Sequence, residues 1–203
     1  MPTEKLHITC LEITHSKTAE EIDKLVDTLE PKRTEIVDFT HSHRARLIKP
    51  MLGYDAAAIA LSFVPAAGEA LSGGRSMQDD AYTYHHLRRD LYTMCSSTGV
   101  KVDSRYVVPS AHLTIGRFID ASDFARGGSR DVSSSDPKKV RALVDKLEEI
   151  NNRLQKEYWP DGAGGSTSGE AFEWIVGQEK GLSNRKGTLW YGGGEEIVTG
   201  KGF

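Results

Sequence analysis

Cysteines are few in this chain, net charge is small and long apolar runs are missing, and each shortage excludes a class of protein. Two cysteines, Cys10 and Cys95, occur in 203 residues, too few and too far apart for a disulfide framework or a zinc site. No segment approaches the roughly 20 apolar residues of a membrane span, and no apolar run follows the first residues. We therefore expect a cytosolic (cytoplasmic) or nuclear protein with reduced thiols and no membrane partner.

The charge balance excludes a protein that is basic over its whole surface. The formal net charge is -3, from 26 basic and 29 acidic residues. Contact with nucleic acid is therefore expected at a local patch, and with a short end or a mononucleotide. The length suits one domain, residues 1–203.

Two common enzyme signatures are also missing. No G-x-G-x-x-G pattern opens a helix, so the three glycines at 192–194 do not indicate dinucleotide binding. No G-x-S-x-G elbow supports a Ser-His-Asp hydrolase.

Hydrophobic periodicity predicts an α+β protein without regular βαβ alternation. Helices are predicted after the Thr18–Glu21 capping box, over about 81–97, and from Pro137 onward. Strands are predicted at 5–13, 36–48, 57–65, 105–119, 172–178 and 188–193, with a turn at 181–187. Polar and small residues predict flexible loops near 66–80, 121–135 and 161–169.

Two segments share the order apolar, His, apolar, Thr, apolar. They are residues 6–10 and residues 111–115. Both lie in strand-like runs, where residues two apart project from the same face. Each segment therefore sets an imidazole beside a hydroxyl: His7 with Thr9, and His112 with Thr114.

Two such pairs facing one cleft suit phosphoryl transfer without a metal or a cofactor. One neutral imidazole removes a proton from the attacking water or ribose hydroxyl, and the other, protonated, gives a proton to the leaving oxygen. The threonine hydroxyls donate hydrogen bonds to the non-bridging phosphate oxygens as charge builds. Histidine fits both tasks because its ordinary pKa lies near neutral pH.

With these motifs the sequence resembles the 2H phosphoesterases, the RNA ligase/cyclic nucleotide phosphodiesterase superfamily, which are defined by two H-x-T/S-x motifs. LHITCLEI followed by TAEEIDKLV is similar to their first motif strand and helix. YHHLRRDLY followed by VPSAHLTIGRF is similar to their second helix and motif strand. The pattern is most similar to the small fungal-type members, well over residues 5–120 and loosely over the C-terminal third.

The resemblance implies a bilobal domain, with two similar α+β lobes, each holding an antiparallel sheet, around a central cleft. It implies that His7 and His112 are catalytic and that Thr9 and Thr114 bind phosphate. Many members carry a strand and a helix before the first motif, which here begins at residue 7. Either a later segment, such as 171–177 or 188–191, supplies that strand, or the first lobe is trimmed.

The resemblance also implies a metal-independent hydrolase. Our preferred hypothesis is a phosphodiesterase that hydrolyses the 2′,3′-cyclic phosphate of nucleotides or RNA ends. The alternatives are an RNA 3′-end or 2′,5′-phosphodiesterase, as in RNA processing, and a non-catalytic nucleotide- or RNA-end-binding module on the same fold.

Two further residues are candidate substrate contacts. Arg46 belongs to a basic stretch that either meets phosphates or forms a solvated strand face. Tyr191 precedes the three glycines and either stacks on a base or ends a hairpin in the core.

Overall fold

The computed structural model describes residues 2–69, 71, 75–105, 110–160, 171–188 and 193–203, and confirms the α+β class. The described helices are α1 Ala19–Leu29, α2 Arg33–Asp38, α3 Tyr84–Ser97 and α4 Pro137–Tyr158. The described strands are β1 Arg46–Tyr54, β2 Ala58–Pro65, β3 Ala111–Arg117, β4 Glu173–Ile175, β5 Lys180–Lys186 and β6 Glu195–Lys201.

A curled antiparallel sheet in the order β3-β2-β1-β4 forms the centre of the molecule. One face of this sheet packs against the apolar stripe of α3, which repeats at helical spacing. The main buried core joins these elements through Ala45, Leu47, Phe63, Tyr84, Leu87, Leu91, Ala111, Leu113 and Val176. The opposite face of β2 and β3 does not take part in this core.

The N-terminal segment lies along the outer edge of β3. Its predicted strand at 5–13 is wrong in extent: within the described residues, the ladder pairing is the single antiparallel bridge between Ile8 and Leu113. Side chains from α3 hold its backbone, since the Tyr84 hydroxyl donates to the Thr9 carbonyl at 3.3 Å and Arg88 donates to the Cys10 carbonyl at 2.6 Å. Side-chain hydrogen bonds replace part of the missing ladder.

Helix boundaries follow their capping residues. Thr18 and Glu21 form the expected capping box at the start of α1. Pro137 is the first residue of α4, and the Asp136 side chain accepts a hydrogen bond from the Lys138 N–H at 3.0 Å. The predicted starts of α1 and α4 are confirmed. Helix α3 begins at Tyr84, three residues later than predicted.

Two predicted elements are wrong. The predicted strand at 36–48 begins as helix α2, which buries Val37, and extended structure starts only at Arg46. The predicted turn at 181–187 is strand β5, paired with β6 on the surface of α2. A Cβ at Gly181 or Gly200 would overlap the Val37 carbonyl, so these glycines permit close packing here and do not mark a turn.

The predicted loops contain short helical turns where they are described. Residues 66–80 include a 3-10 turn at Met77–Asp80, and residues 121–135 include 3-10 turns at Arg126–Gly128 and Val132–Ser134. The segment 161–169 lies outside the described residues, as does most of the strand predicted at 188–193.

Helix α4 lies against the outer half of β1. The Asn151 side chain accepts from the Leu52 N–H at 2.7 Å and donates to the Leu52 carbonyl at 2.9 Å. The Trp159 indole N–H donates to the Pro50 carbonyl at 2.9 Å. These contacts fix the end of α4 beside the sheet. None of the helices in the described part of the chain has the length and apolarity needed to cross a membrane.

Candidate phosphate site

The second His-x-Thr pair lies on β3 and faces away from the main core. Leu113 pairs with Leu61 of β2 and is buried in the core. His112 and Thr114, its neighbours in the strand, therefore project from the opposite face. Across the ladder they pair with Ser62 and Ala60.

The first pair joins the second through the bridge at Ile8. Ile8 packs on the core opposite Leu113, so His7 and Thr9 project from the other face. Antiparallel register then sets His7 beside Thr114 and Thr9 beside His112. The structure thus brings all four predicted motif residues to one face at the outer edge of the sheet.

Small side chains lie next to these four residues. Ser62 and Ala60 follow on β2, and Gly53 pairs with Ala60 on β1. A Cβ at Gly53 would meet no atom within 4 Å. This stretch of the sheet face is therefore open enough for a ligand to approach the histidines.

The hydrogen bond of His7 fixes its neutral tautomer. Its Nδ1 lies 2.9 Å from the Lys5 carbonyl, and His7 is exposed. A carbonyl oxygen only accepts, so Nδ1 carries the hydrogen and Nε2 is the basic nitrogen of the neutral ring. When the ring is protonated, Nε2 becomes the second donor.

His112 is half-buried in a positively charged setting. Burial lowers the pKa of His112 below its ordinary value, and the positive charges of Arg88, His7 and Arg117 lower it further. Its Nδ1 lies 2.9 Å from the Ser110 hydroxyl. His7 is among the charges that lower the pKa of His112, so the two imidazoles lie within electrostatic reach of each other.

Three residues near His112 were not predicted, although two had signals in the sequence. Ser110 precedes His112 by two residues and belongs to the same alternation. Arg88 falls on the buried stripe of α3, at helical spacing from Tyr84 and Leu91, where an arginine is unusual. Arg117 had no such signal, because its nearness to His112 depends on the folded sheet.

Arg46 is part of an internal ion-pair cluster. Its side chain is 5% exposed and binds both Asp80 oxygens, at 3.0 and 2.5 Å, and Glu173 at 3.3 Å. It also donates to the Glu69 carbonyl at 2.6 Å. The hydrogen bond from Arg46 holds the pKa of Asp80 below its ordinary value despite burial.

These contacts correct the assignment of Arg46 as a substrate contact, since its guanidinium is committed to internal carboxylates. They also show that Arg46 does not lie on a solvated strand face. Tyr191, the other candidate contact, lies outside the described residues. Among those residues, no three His, Cys, Asp or Glu side chains gather as a possible metal site.

The assembled site has the chemistry to bind and act on an anion. It combines two imidazoles, two hydroxyls and nearby guanidinium charge, all beside an open sheet face. Such donors stabilise the negative charge that builds on a phosphate. Two imidazoles side by side are a pair of groups that can accept and donate protons.

Comparison with known proteins gives no relative. No protein-family model matches the chain, and neither curated proteins nor solved structures match it significantly.

Proposed function

We propose that this protein is a metal-independent phosphodiesterase of the 2H type that hydrolyses 2′,3′-cyclic phosphates of nucleotides or RNA ends. The observation that carries the proposal is the Ile8–Leu113 bridge, whose register gathers His7, Thr9, His112 and Thr114 on one face. The bilobal architecture of that family belongs to the same proposal. The unequal sheets, one of four and one of two described strands, are the point at which the chain departs from it.

The lowered pKa of His112 makes it the general base of the proposed reaction. Neutral His112 takes a proton from water as the water oxygen attacks phosphorus. Protonated His7, with Nδ1 bound to the Lys5 carbonyl, donates from Nε2 to the leaving ribose oxygen as the P–O bond breaks. The Thr9 and Thr114 hydroxyls donate to the non-bridging oxygens. Proton exchange with solvent then restores both rings.

Hydrolysis of the four nucleoside 2′,3′-cyclic monophosphates, in the presence of chelator, tests this proposal. His7→Ala and His112→Ala each remove one proton-transfer group, and we expect each to lose at least about 100-fold in turnover. His85→Ala is the matched control, because His85 is exposed on α3 and outside the site. Wild type and the control should give a bell-shaped pH profile.

Several outcomes would contradict the proposal. A strict metal requirement, or a flat rate between about pH 5 and 8, would rule out two titrating imidazoles as the catalysts. Absence of turnover with all four substrates would redirect the test to RNA 3′ ends and 2′,5′ linkages. If those also remain intact while a nucleotide binds, the chain is a binding module.

A further inference from the structure

A pocket opens on the same sheet face as the candidate phosphate site. It is open to solvent, has a volume of about 90 Å³ and is lined by Lys49, Met51, Ser62, Phe63, Val64 and Trp159. A β-bulge shapes one side: the register passes from Ile48–Val64 to Met51–Ser62, so two residues of β1 oppose Phe63. The indole bond to the Pro50 carbonyl holds Trp159 over the bulge.

The pocket and the phosphate site share one row of side chains. Met51 of β1 pairs with Ser62 of β2, which pairs with His112 of β3. Neighbouring strands are about 4.8 Å apart, so β1 and β3 lie about 10 Å apart across β2. A ligand whose phosphate binds at His112 would therefore extend over Ser62. The part of the ligand beyond the phosphate would then reach the pocket.

The chemistry of the walls selects a flat, weakly polar group. Met51 and Val64 are 47% and 44% exposed, although both are large apolar side chains and share one sheet face. Adjacent exposed apolar side chains of this kind often mark a binding site. An indole and a thioether both make favourable contacts with aromatic rings. Lys49 at the rim is already paired with Glu69 at 2.9 Å and does not make the pocket a second anion site.

The size admits one ring. An apolar cavity of about 150 Å³ encloses benzene completely. The smaller open pocket, about 90 Å³, would hold one face of a ring and leave its other side in water. Stacking of this kind tolerates every base, because each base has a π-face.

We propose that this pocket binds the base of the nucleotide whose phosphate lies at His7 and His112. This inference rests on the proposed function and adds to it a site for the base, which stacks against Trp159 and Met51. Discrimination between the four bases is correspondingly small.

Charged variants at the exposed wall test this subsite without disturbing the core. Met51→Asp and Val64→Asp should each raise the KM for adenosine 2′,3′-cyclic phosphate about tenfold, since stacking of one base is worth that much or more. The rate at saturation should stay within about twofold, because neither residue takes part in proton transfer. Hydrolysis of glycerol 1,2-cyclic phosphate, which has no base, should be unchanged. Val140→Asp, at an exposed apolar position on α4, is the control.

A binding measurement separates the subsite from catalysis. Adenosine 3′-monophosphate should quench tryptophan fluorescence in the wild type and in His85→Ala, less in Trp159→Phe, and only at about tenfold higher concentration in Met51→Asp. Normal hydrolysis with an unchanged KM in Met51→Asp and Val64→Asp would overturn the subsite and leave the proposed function standing. Quenching that Met51→Asp weakens, without hydrolysis of any phosphodiester, would support the subsite and overturn the enzyme. Absence of both would overturn both.

Discussion

The two His-x-Thr segments have the same residue pattern but very different structural support. The second is built into β3, whose residues pair along β2, and its histidine is half-buried. Within the described residues, the first is joined to the sheet by a single bridge at Ile8, and its histidine is exposed. Their Nδ1 partners also differ: a serine hydroxyl for His112 and a backbone carbonyl for His7.

In the proposed reaction, this difference divides the chemistry between the two histidines. Burial and neighbouring cations favour the neutral form of His112, as a proton acceptor requires. His7 is exposed, and its Nδ1 hydrogen bond to the Lys5 carbonyl makes Nε2 the basic nitrogen of the neutral ring. Two motifs of the same pattern therefore lie in unequal surroundings, and the proposed mechanism gives their histidines unequal roles.

The largest expected difference between the segments is in stability. Leu113→Ala removes a side chain that is 8% exposed in the core, and we expect a loss of about 2–5 kcal/mol in the free energy of unfolding. Ile8→Ala removes a half-buried side chain and should cost about 1–2 kcal/mol. Urea unfolding measures both losses. Equal losses would mean that the N-terminal segment is as firmly integrated as β3.

A smaller difference is expected between the two threonines. Thr114→Val and Thr9→Val each remove, at nearly constant shape, one hydroxyl that donates to the phosphate in the proposed mechanism. Hydrogen bonds to charged groups are worth about 1.5–3 kcal/mol, so we expect losses of about 10- to 100-fold in kcat. The loss should be greater for Thr114, which the ladder to Ala60 holds in place. A larger loss of kcat in Thr9→Val than in Thr114→Val would contradict this expectation. Thr93→Val, on the exposed side of α3, is the control.

The smallest effect is a displacement of the His112 titration. In the wild type, its NMR titration midpoint should lie below the ordinary value of about 6.5, mainly because of burial. Arg117→Gln removes a nearby positive charge, which had disfavoured protonation. The pKa of His112 should therefore rise, and the acidic limb of kcat/KM should move to higher pH with it. A midpoint that stays unchanged or falls would exclude Arg117 from the electrostatics of the site.

Much of the local structure was predictable because it depends on neighbouring residues in the chain. The start of α1 follows from the Thr18–Glu21 capping box, and the start of α4 follows from Pro137. Alternation around Leu113 was enough to put His112 and Thr114 on one face. The distinctive part of each motif is thus encoded over a few residues.

The remaining features depend on contacts between distant residues. The Ile8–Leu113 pairing joins residues that are 105 positions apart, more than half the length of the chain, and has no local signal. The strand at Lys180–Lys186 has the composition of a turn, and only its contact with α2 explains its glycines. Arg46 looks like a surface cation until Asp80 and Glu173 meet it inside the fold. Tertiary context overrides local preference at each of these places.

The side-chain amide of Asn151 affects whether the edge of β1 can pair with a strand from another copy of the protein. Within the described residues, strand β4 pairs with β1 only at Arg46–Ile48, so none of the described strands lies beside the outward-facing peptide group of Leu52. A bare strand edge is a template on which another chain can build. Because an amide offers both a donor and an acceptor, Asn151 takes the place of a neighbouring peptide at Leu52. One residue of α4 thereby closes this part of the sheet to β-augmentation and strand exchange.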